Sequence, residues 1–539
     1  MRHVKVLYEI LQGANMNMSR HKSPHLKLQP TVLGDVSWRG GFWKKKFELV
    51  RQNTLPSMWK VFKDKETSHA WENFRIAAGK SSGDFRGTYW IDGDFYKCIE
   101  ASAYIYNETK DENLDQLMDE AIELIAASQS VNGYLHTPVI IGHGYYTEFS
   151  WEERFDHIHP FSNILHHELY CMGHLLTAGC VHYQATGKKN LLNVAEKCGV
   201  FLYKTFKTRD PKLANFGFNP SYIMGAIDLY RVTQNPDFLQ LAVIFLENRG
   251  SHPAKRNQYK TKEDIPAVIG GTDFTQDRVP FLEENEAVGH AVTAGYLFCG
   301  AADIFAETGD QKIWNKLVEL WDDVTQRKMY ITGGTGAVHK GITKNGDFAQ
   351  EMYGKPYELP NATAYNETCA NISNAMWAYR MLGITGDAKY ADLIERVLYN
   401  NALSGLSSCG CKYFYTNPMQ RFNNSPMLMW DYEERQSYMP CFCCPPSITR
   451  TIAGLGRWAY NISTEGLWVN LYGNNSLNTQ VNENCHIQLS QETNYPWEGK
   501  VKITLEEISG DGDFSIFLRI PGFQCIGGDE IVHLSDLGH

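Results

Sequence analysis

Two short stretches gather the residues best equipped for chemistry: Cys441-Phe442-Cys443-Cys444-Pro445-Pro446 and, earlier in the chain, Glu367-Thr368-Cys369. A disulfide between neighbouring cysteines is strained, because their Cα atoms sit only about 3.8 Å apart across a trans peptide. Two thiolates from one turn, with Cys369 and a carboxylate from a second element, suit a borderline-soft metal such as zinc far better. The prolines fix the turn, so backbone rather than flexible side chains holds the thiols. Cys441 to Cys444 is a CxxC spacing without a second such pair, which excludes a zinc finger. Cys441 remains a further candidate ligand, and buried free thiols are the alternative to a metal centre.

Acid–base candidates lie upstream. The run Asp347 to Glu358 is rich in aromatic and turn residues and reads as a loop, where Glu351 or Glu358 could protonate a leaving group if apolar neighbours raise its pKa. His166, His167 and His174 fall in one segment, and His290 follows Gly289. Several histidines at helix ends facing one axis indicate a polar pocket.

The elements that must position these groups are helical and repeat. Turns at Asn107–Asp111, Ala185–Lys188, Val232–Pro236, Glu307–Asp310 and Ile384–Asp387 each join an apolar first helix to a second. Gly or a short polar residue closes the first helix; Asp, Asn or Lys-Asn opens the second. First helices (Tyr96–Tyr106, His167–Tyr183, Tyr222–Tyr230, His290–Phe305, Thr368–Met381) are rich in small and aromatic residues, whereas second helices such as Glu112–Ile125 and Gln311–Val324 are more charged. An apolar inner ring inside an amphipathic outer ring accounts for the difference. Five pairs and a sixth helix from Pro446 to Arg457 predict a mainly α, (α/α)6 toroid over residues 31–464; a solenoid of helical hairpins is the alternative. Residues 1–30 read as a poorly ordered lead, followed by a helix from Lys45 to about Lys60 that Pro56 kinks or shortens. Residues 465–539 alternate with β character and predict a β-sandwich module. It holds too few strands to close two sheets, so it is either incomplete or completed by N-terminal strands.

The chain has 539 residues and a formal net charge of −10, which argues against nucleic-acid or anionic-membrane partners. No apolar run approaches the ~18–20 residues that span a bilayer. The N-terminus shows no clean secretory signal, and thirteen unevenly spaced cysteines suit a reducing compartment. The expected location is cytoplasmic, or periplasmic if the start is misassigned. Oligomeric state is open, a homodimer being one option.

Glu367-Thr368-Cys369-Ala370, Cys441-x-Cys443-Cys444-Pro445-Pro446, His167 to His174, Glu286 to Ala291 and Tyr330 to Gly334 together resemble glycoside hydrolase family 127 and its sister family 146. The resemblance runs from roughly Gly41 to Gly522. It implies an (α/α)6 barrel followed by β-sandwich domains, acting on an oligosaccharide or glycoside, with β-L-arabinofuranosidase as the type activity. It further implies a Zn2+ site formed by Glu367, Cys369, Cys443 and Cys444, with Cys443 as nucleophile in a retaining mechanism and Glu351 as general acid/base. His167, His290 and Tyr415 match sugar-contacting positions. The chain departs from the family pattern at Phe218-Asn219-Pro220-Ser221, where a histidine is usual, and at Ser447, where Asn is usual. Asn219 thus becomes a candidate sugar contact, and another sugar, such as aceric acid or an anhydrogalactose, becomes an alternative substrate. A non-catalytic carbohydrate-binding toroid with a structural zinc is a second alternative, and a metal-free epimerase-like toroid a third.

Overall fold

A computed structural model describes residues 21–146, 153–252, 271–423, 428–510 and 513–522. Six inner helices form a closed ring: Ile91–Thr109, Glu168–Thr186, Ser221–Thr233, Ala291–Thr308, Thr368–Thr385 and Cys444–Ala453, the last packing back on the first. Five outer helices follow their inner partners directly. Outer helix Gln311–Asp323 buries Ile313, Leu317, Leu320 and Trp321, a one-sided stripe, whereas inner helix Ala291–Thr308 is buried almost all round. The turns form as the residue types require. Asp111, Asn235, Asp310 and Asp387 cap the outer helices with their carboxylate or amide oxygens, and Gly187, Gly309 and Gly386 close inner helices in the left-handed conformation.

The outer partner of Cys444–Ala453 comes from the other end of the chain. Helices Gly41–Leu49 and Leu55–Lys63 pack against it, joined by a π-turn at Val50–Thr54. Pro56 falls in the first turn of the second helix, where its missing N–H costs nothing, so the helical run reaches Lys63 rather than stopping at Pro56.

Inner helices approach closely where glycine allows it. A Cβ on Gly173 would lie 2.4 Å from Tyr222 N, and one on Gly225 would lie 2.4 Å from Gly173 O. Gly173→Ala is therefore expected to destabilise the toroid by about 2–3 kcal/mol, read as a lower urea midpoint with an unchanged m-value.

The strand-rich region holds two four-stranded sheets, and each borrows a strand from the N-terminal segment. Gln29–Pro30 pairs with Tyr460–Ser463, and Val36–Trp38 pairs with Asn475–Asn482. The N-terminal strands that the sequence offered as one option do join these sheets. The expectation of a poorly ordered lead over 1–30 is corrected for residues 21–30; residues 1–20 lie outside the described residues. His25 N–H donates to Ala306 O (3.0 Å) and Leu28 N–H to Gly383 O (2.8 Å). Both carbonyls sit at inner-helix C-termini, which lack intrahelical donors. The segment is thus held by backbone bonds that leave no side-chain period to read.

Candidate active site and metal centre

Trp90, His167, Pro220, His290, Glu367 and Cys443 are the N-caps of the six inner helices. The chemistry therefore collects at one mouth, where helix N-termini favour anions. Two residues apart on a helix, Glu367 and Cys369 would point in different directions. Because Glu367 is the non-helical cap (φ −53°, ψ 136°), both reach the same centre.

Glu367, Cys369, Cys443 and Cys444 place one donor atom each within 4.8 Å of all the others. Cys443 Sγ lies 3.8 Å from both Cys369 Sγ and Cys444 Sγ, and Glu367 Oε1 lies 3.4 Å from Cys443 Sγ and 3.5 Å from Cys444 Sγ. Thiolates bound to a tetrahedral zinc stand about 3.8 Å apart, and thiolate from carboxylate oxygen about 3.6 Å. The edges of the cluster therefore match such a site. Glu367 Oε2 is buried without a hydrogen-bond partner. Burial, then the charge of Glu351, pushes the Glu367 carboxyl well above its usual range; burial, then the adjoining thiols, does the same to Cys444. Four groups, three of them buried and Cys443 partly so, that resist ionisation together are what a cation would reverse. Cys441, the further candidate ligand, stands outside this group, 3.7 Å from Cys443 Sγ and 3.7 Å from the Tyr415 hydroxyl.

Glu351 lies beside the cluster. Tyr415 Oη donates to its Oε2 at 2.9 Å, and His290 Nε2 lies 3.3 Å from the same oxygen. Val292 N–H donates to His290 Nδ1 (3.3 Å), which leaves Nε2 as the protonated nitrogen facing Glu351. Burial works to raise the Glu351 carboxyl, but His290 Nε2 and the Tyr415 hydroxyl beside it outweigh burial and hold it below the usual range. The apolar surroundings expected around Glu351 are instead His290 and Tyr415. Glu351 is the penultimate residue of the strand Phe348–Met352, in a hairpin with Val338–Ile342, rather than lying in a loop. It is left-handed (φ 53°), a strained conformation that its surroundings must hold. They do so through the bridge between Met352 and His290 and the bond from Tyr353 N–H to Gly289 O (3.0 Å). Gly289 itself has φ 66°, and a Cβ there would lie 1.8 Å from Asp273 O.

His167 joins the site from the next helix, its ring 5.0 Å from Trp90 and 4.7 Å from Phe218. Burial takes it down to about 4, so it is neutral. Phe218 also lies 6.1 Å from His290, so an aromatic ring stands between the two histidines. Asn219, the candidate contact, accepts at Oδ1 from Ser221 N–H (3.3 Å), just before its helix. Glu358 is exposed and its carboxylate binds Lys355 N–H, which removes it as an acid candidate. His166 packs on Tyr89 (4.8 Å), and His174 lies deeper in the ring. One support has no signal in the sequence. Buried Lys97 donates to Cys443 O (3.0 Å) and pairs with Asp94 (2.8 Å), anchoring the cysteine turn from below.

Residues 35–457 match the family model of the β-L-arabinofuranosidase, GH127 catalytic domain, and residues 466–532 that of the GH127 middle domain. The fold and site thus define a glycoside hydrolase. The chain belongs to glycoside hydrolase family 127. It is similar to the non-reducing end β-L-arabinofuranosidase of Bifidobacterium longum subsp. longum, 30% identical over 516 residues that cover 91% of this chain and 76% of that protein. Similar solved structures include a GH127 β-L-arabinofuranosidase from Geobacillus stearothermophilus T6, with TM-score 0.80, 34% identity, and 90% and 75% of the two chains covered. A second GH127 β-arabinofuranosidase gives TM-score 0.76 and 32% identity over 93% and 72% of the chains.

Proposed function

We propose that the protein is a retaining, exo-acting β-L-arabinofuranosidase in which Cys443 is the nucleophile and Glu351 the acid/base. The observation that carries this reading is the placement of the Tyr415 hydroxyl, 2.9 Å from the Glu351 carboxylate and 3.8 Å from Cys443 Sγ. It sets a proton carrier and a thiol on either side of one small gap. The similar proteins supply the sugar, and the name of the Bifidobacterium relative supplies the non-reducing end.

Glu367, Cys369, Cys443 and Cys444 would hold a zinc ion, which would keep sulfur deprotonated at neutral pH. Cys443 Sγ attacks the anomeric carbon, the glycosidic C–O bond breaks, and its electron pair leaves with the departing oxygen, which takes the proton of Glu351. Glu351 then removes a proton from water. The resulting hydroxide oxygen attacks the same carbon, the C–S bond breaks, and the sulfur recovers its electron pair. Two inversions give net retention. His290 and Tyr415 position the Glu351 carboxyl throughout, and His167, neutral, presents a hydrogen-bonding edge to the sugar. Four anionic donors around a divalent ion would leave a net negative charge, which would favour the proton on Glu351 that the first step needs.

The ligand assignment has its own test. Purified protein is expected to carry one equivalent of zinc by elemental analysis; Cys369→Ser and Cys444→Ser should lower it well below one, and Cys441→Ala should not. Loss of zinc from Cys441→Ala, with full retention in Cys444→Ser, would overturn the ligand set.

Phe218 supports a second reading, in which the sugar is another furanose or acidic sugar of plant-wall or algal glycans, because an aromatic ring stands beside His167 and His290. Hydrolysis of p-nitrophenyl β-L-arabinofuranoside, compared with a panel of such oligosaccharides, separates the two. Rates on the arabinofuranoside far below those on another glycan would replace the first reading by the second.

A further inference from the structure

The toroid has a second mouth. At the C-terminal ends of the inner helices, opposite the thiol cluster, lies a cavity of about 510 Å3 roofed by the segment from His21 to Leu33. That size suits a small-molecule ligand. Its deep end is reached by His174, seven residues and so about 10 Å along the helix from His167. Between the two mouths stand the buried pairs Lys97–Asp94 and Arg450–Glu100, with Arg450 also bound to Tyr296 (3.0 Å). The cavity is therefore separate from the candidate catalytic site.

Its lining is built for polar recognition. Arg231 and Arg380 both pair with Asp303 (3.0 and 2.7 Å), and Arg231 also pairs with Glu307 (2.6 Å). Asp228 accepts from Thr177 Oγ1 (2.8 Å), and Arg457 donates to the Tyr104 hydroxyl (2.9 Å). Among the described residues neither Asp228 nor Arg457 has a charged partner at ion-pair distance, yet both line the cavity. His174 Nε2, fully buried, also lines it without a hydrogen-bond partner. Along one wall Tyr379 and Trp458 stack 5.4 Å apart at 19°.

Two features define the ligand. The lining arginines are balanced by Glu100, Asp228, Asp303 and the adjoining Glu307, so an anion or a cation would enter without net electrostatic gain. Carboxylate and guanidinium groups facing one space can accept from and donate to adjacent hydroxyls, and an aromatic stack takes the apolar face of a ring. We propose that this second mouth is a binding site for a neutral polyol of mono- to disaccharide size. The proposal does not depend on how the thiol centre works.

Titration calorimetry of the full chain with L-arabinose and with cellobiose, and sulfate as the anionic control, tests it. At least one sugar is expected to bind an equivalent that Asp228→Asn and Arg457→Met each weaken tenfold or more, while kcat/KM on an aryl arabinofuranoside stays within twofold of wild type. A crystal soaked in that sugar should show it between Asp228, Arg457 and the Tyr379–Trp458 stack. If either variant folds poorly, Thr177→Val gives the same readouts. Absence of sugar from the cavity in soaked crystals, sulfate binding in place of sugar, or an equivalent unchanged in every variant would overturn the proposal.

Discussion

Cys443→Ala is expected to lower kcat/KM on an aryl β-L-arabinofuranoside by at least about four orders of magnitude, equivalent to about 5.5 kcal/mol at the transition state. The sulfur is assigned the bond to the anomeric carbon. Cys443 is the N-cap of its helix, only partly buried, and its carbonyl stays fixed by Lys97 whatever the side chain. The variant should therefore keep its helical circular dichroism and most of its melting temperature. Cys369 and Cys444 still offer two thiolates, so a reduced metal content is compatible with this outcome. Retention of more than a tenth of the wild-type rate would remove Cys443 as nucleophile.

Glu351→Gln is expected to cost about a hundred- to ten-thousand-fold, and the loss should depend on the leaving group. With a poor leaving group, protonation limits the first step and the full loss appears. With an activated aryl group that step proceeds without an acid, and hydrolysis of the thioglycosyl intermediate becomes limiting. A burst of released aryl alcohol should then precede a slow steady state. Glutamine keeps the bond from Tyr415 and nearly the same volume, so misplacement of the site does not explain the same pattern. A loss independent of leaving group would assign Glu351 to substrate binding alone.

The thiol centre was legible in the chain because it is locally encoded: adjacent cysteines, two prolines, and a Glu-x-Cys at a helix start. The repeat was legible for the same reason, since the capping Asp and closing Gly of each hairpin lie within a few residues of one another. What escaped reading is long-range. The outer partner of Cys444–Ala453 is a helix from the opposite end of the chain, and of the strands that both sheets draw from before residue 39 the sequence offered only the option, not the pairing. Nothing in the helix Ile91–Thr109 marks Lys97 as a support, and only the folded ring puts it under Cys443. Glu351 and Glu358 were equivalent as sequence; the hairpin and its bridge to His290 separate them. The aromatic ring of Phe218 between two histidines was likewise invisible until three helices met.

The central claim is a covalent bond between Cys443 and the sugar. Its most direct test is peptide mapping of Glu351→Gln quenched during turnover of an activated aryl β-L-arabinofuranoside. The expected result is one pentosyl residue attached through sulfur to the peptide containing Cys443. A pentosyl group on Glu367 or another carboxylate, or a burst of aryl alcohol with no protein adduct, would contradict it.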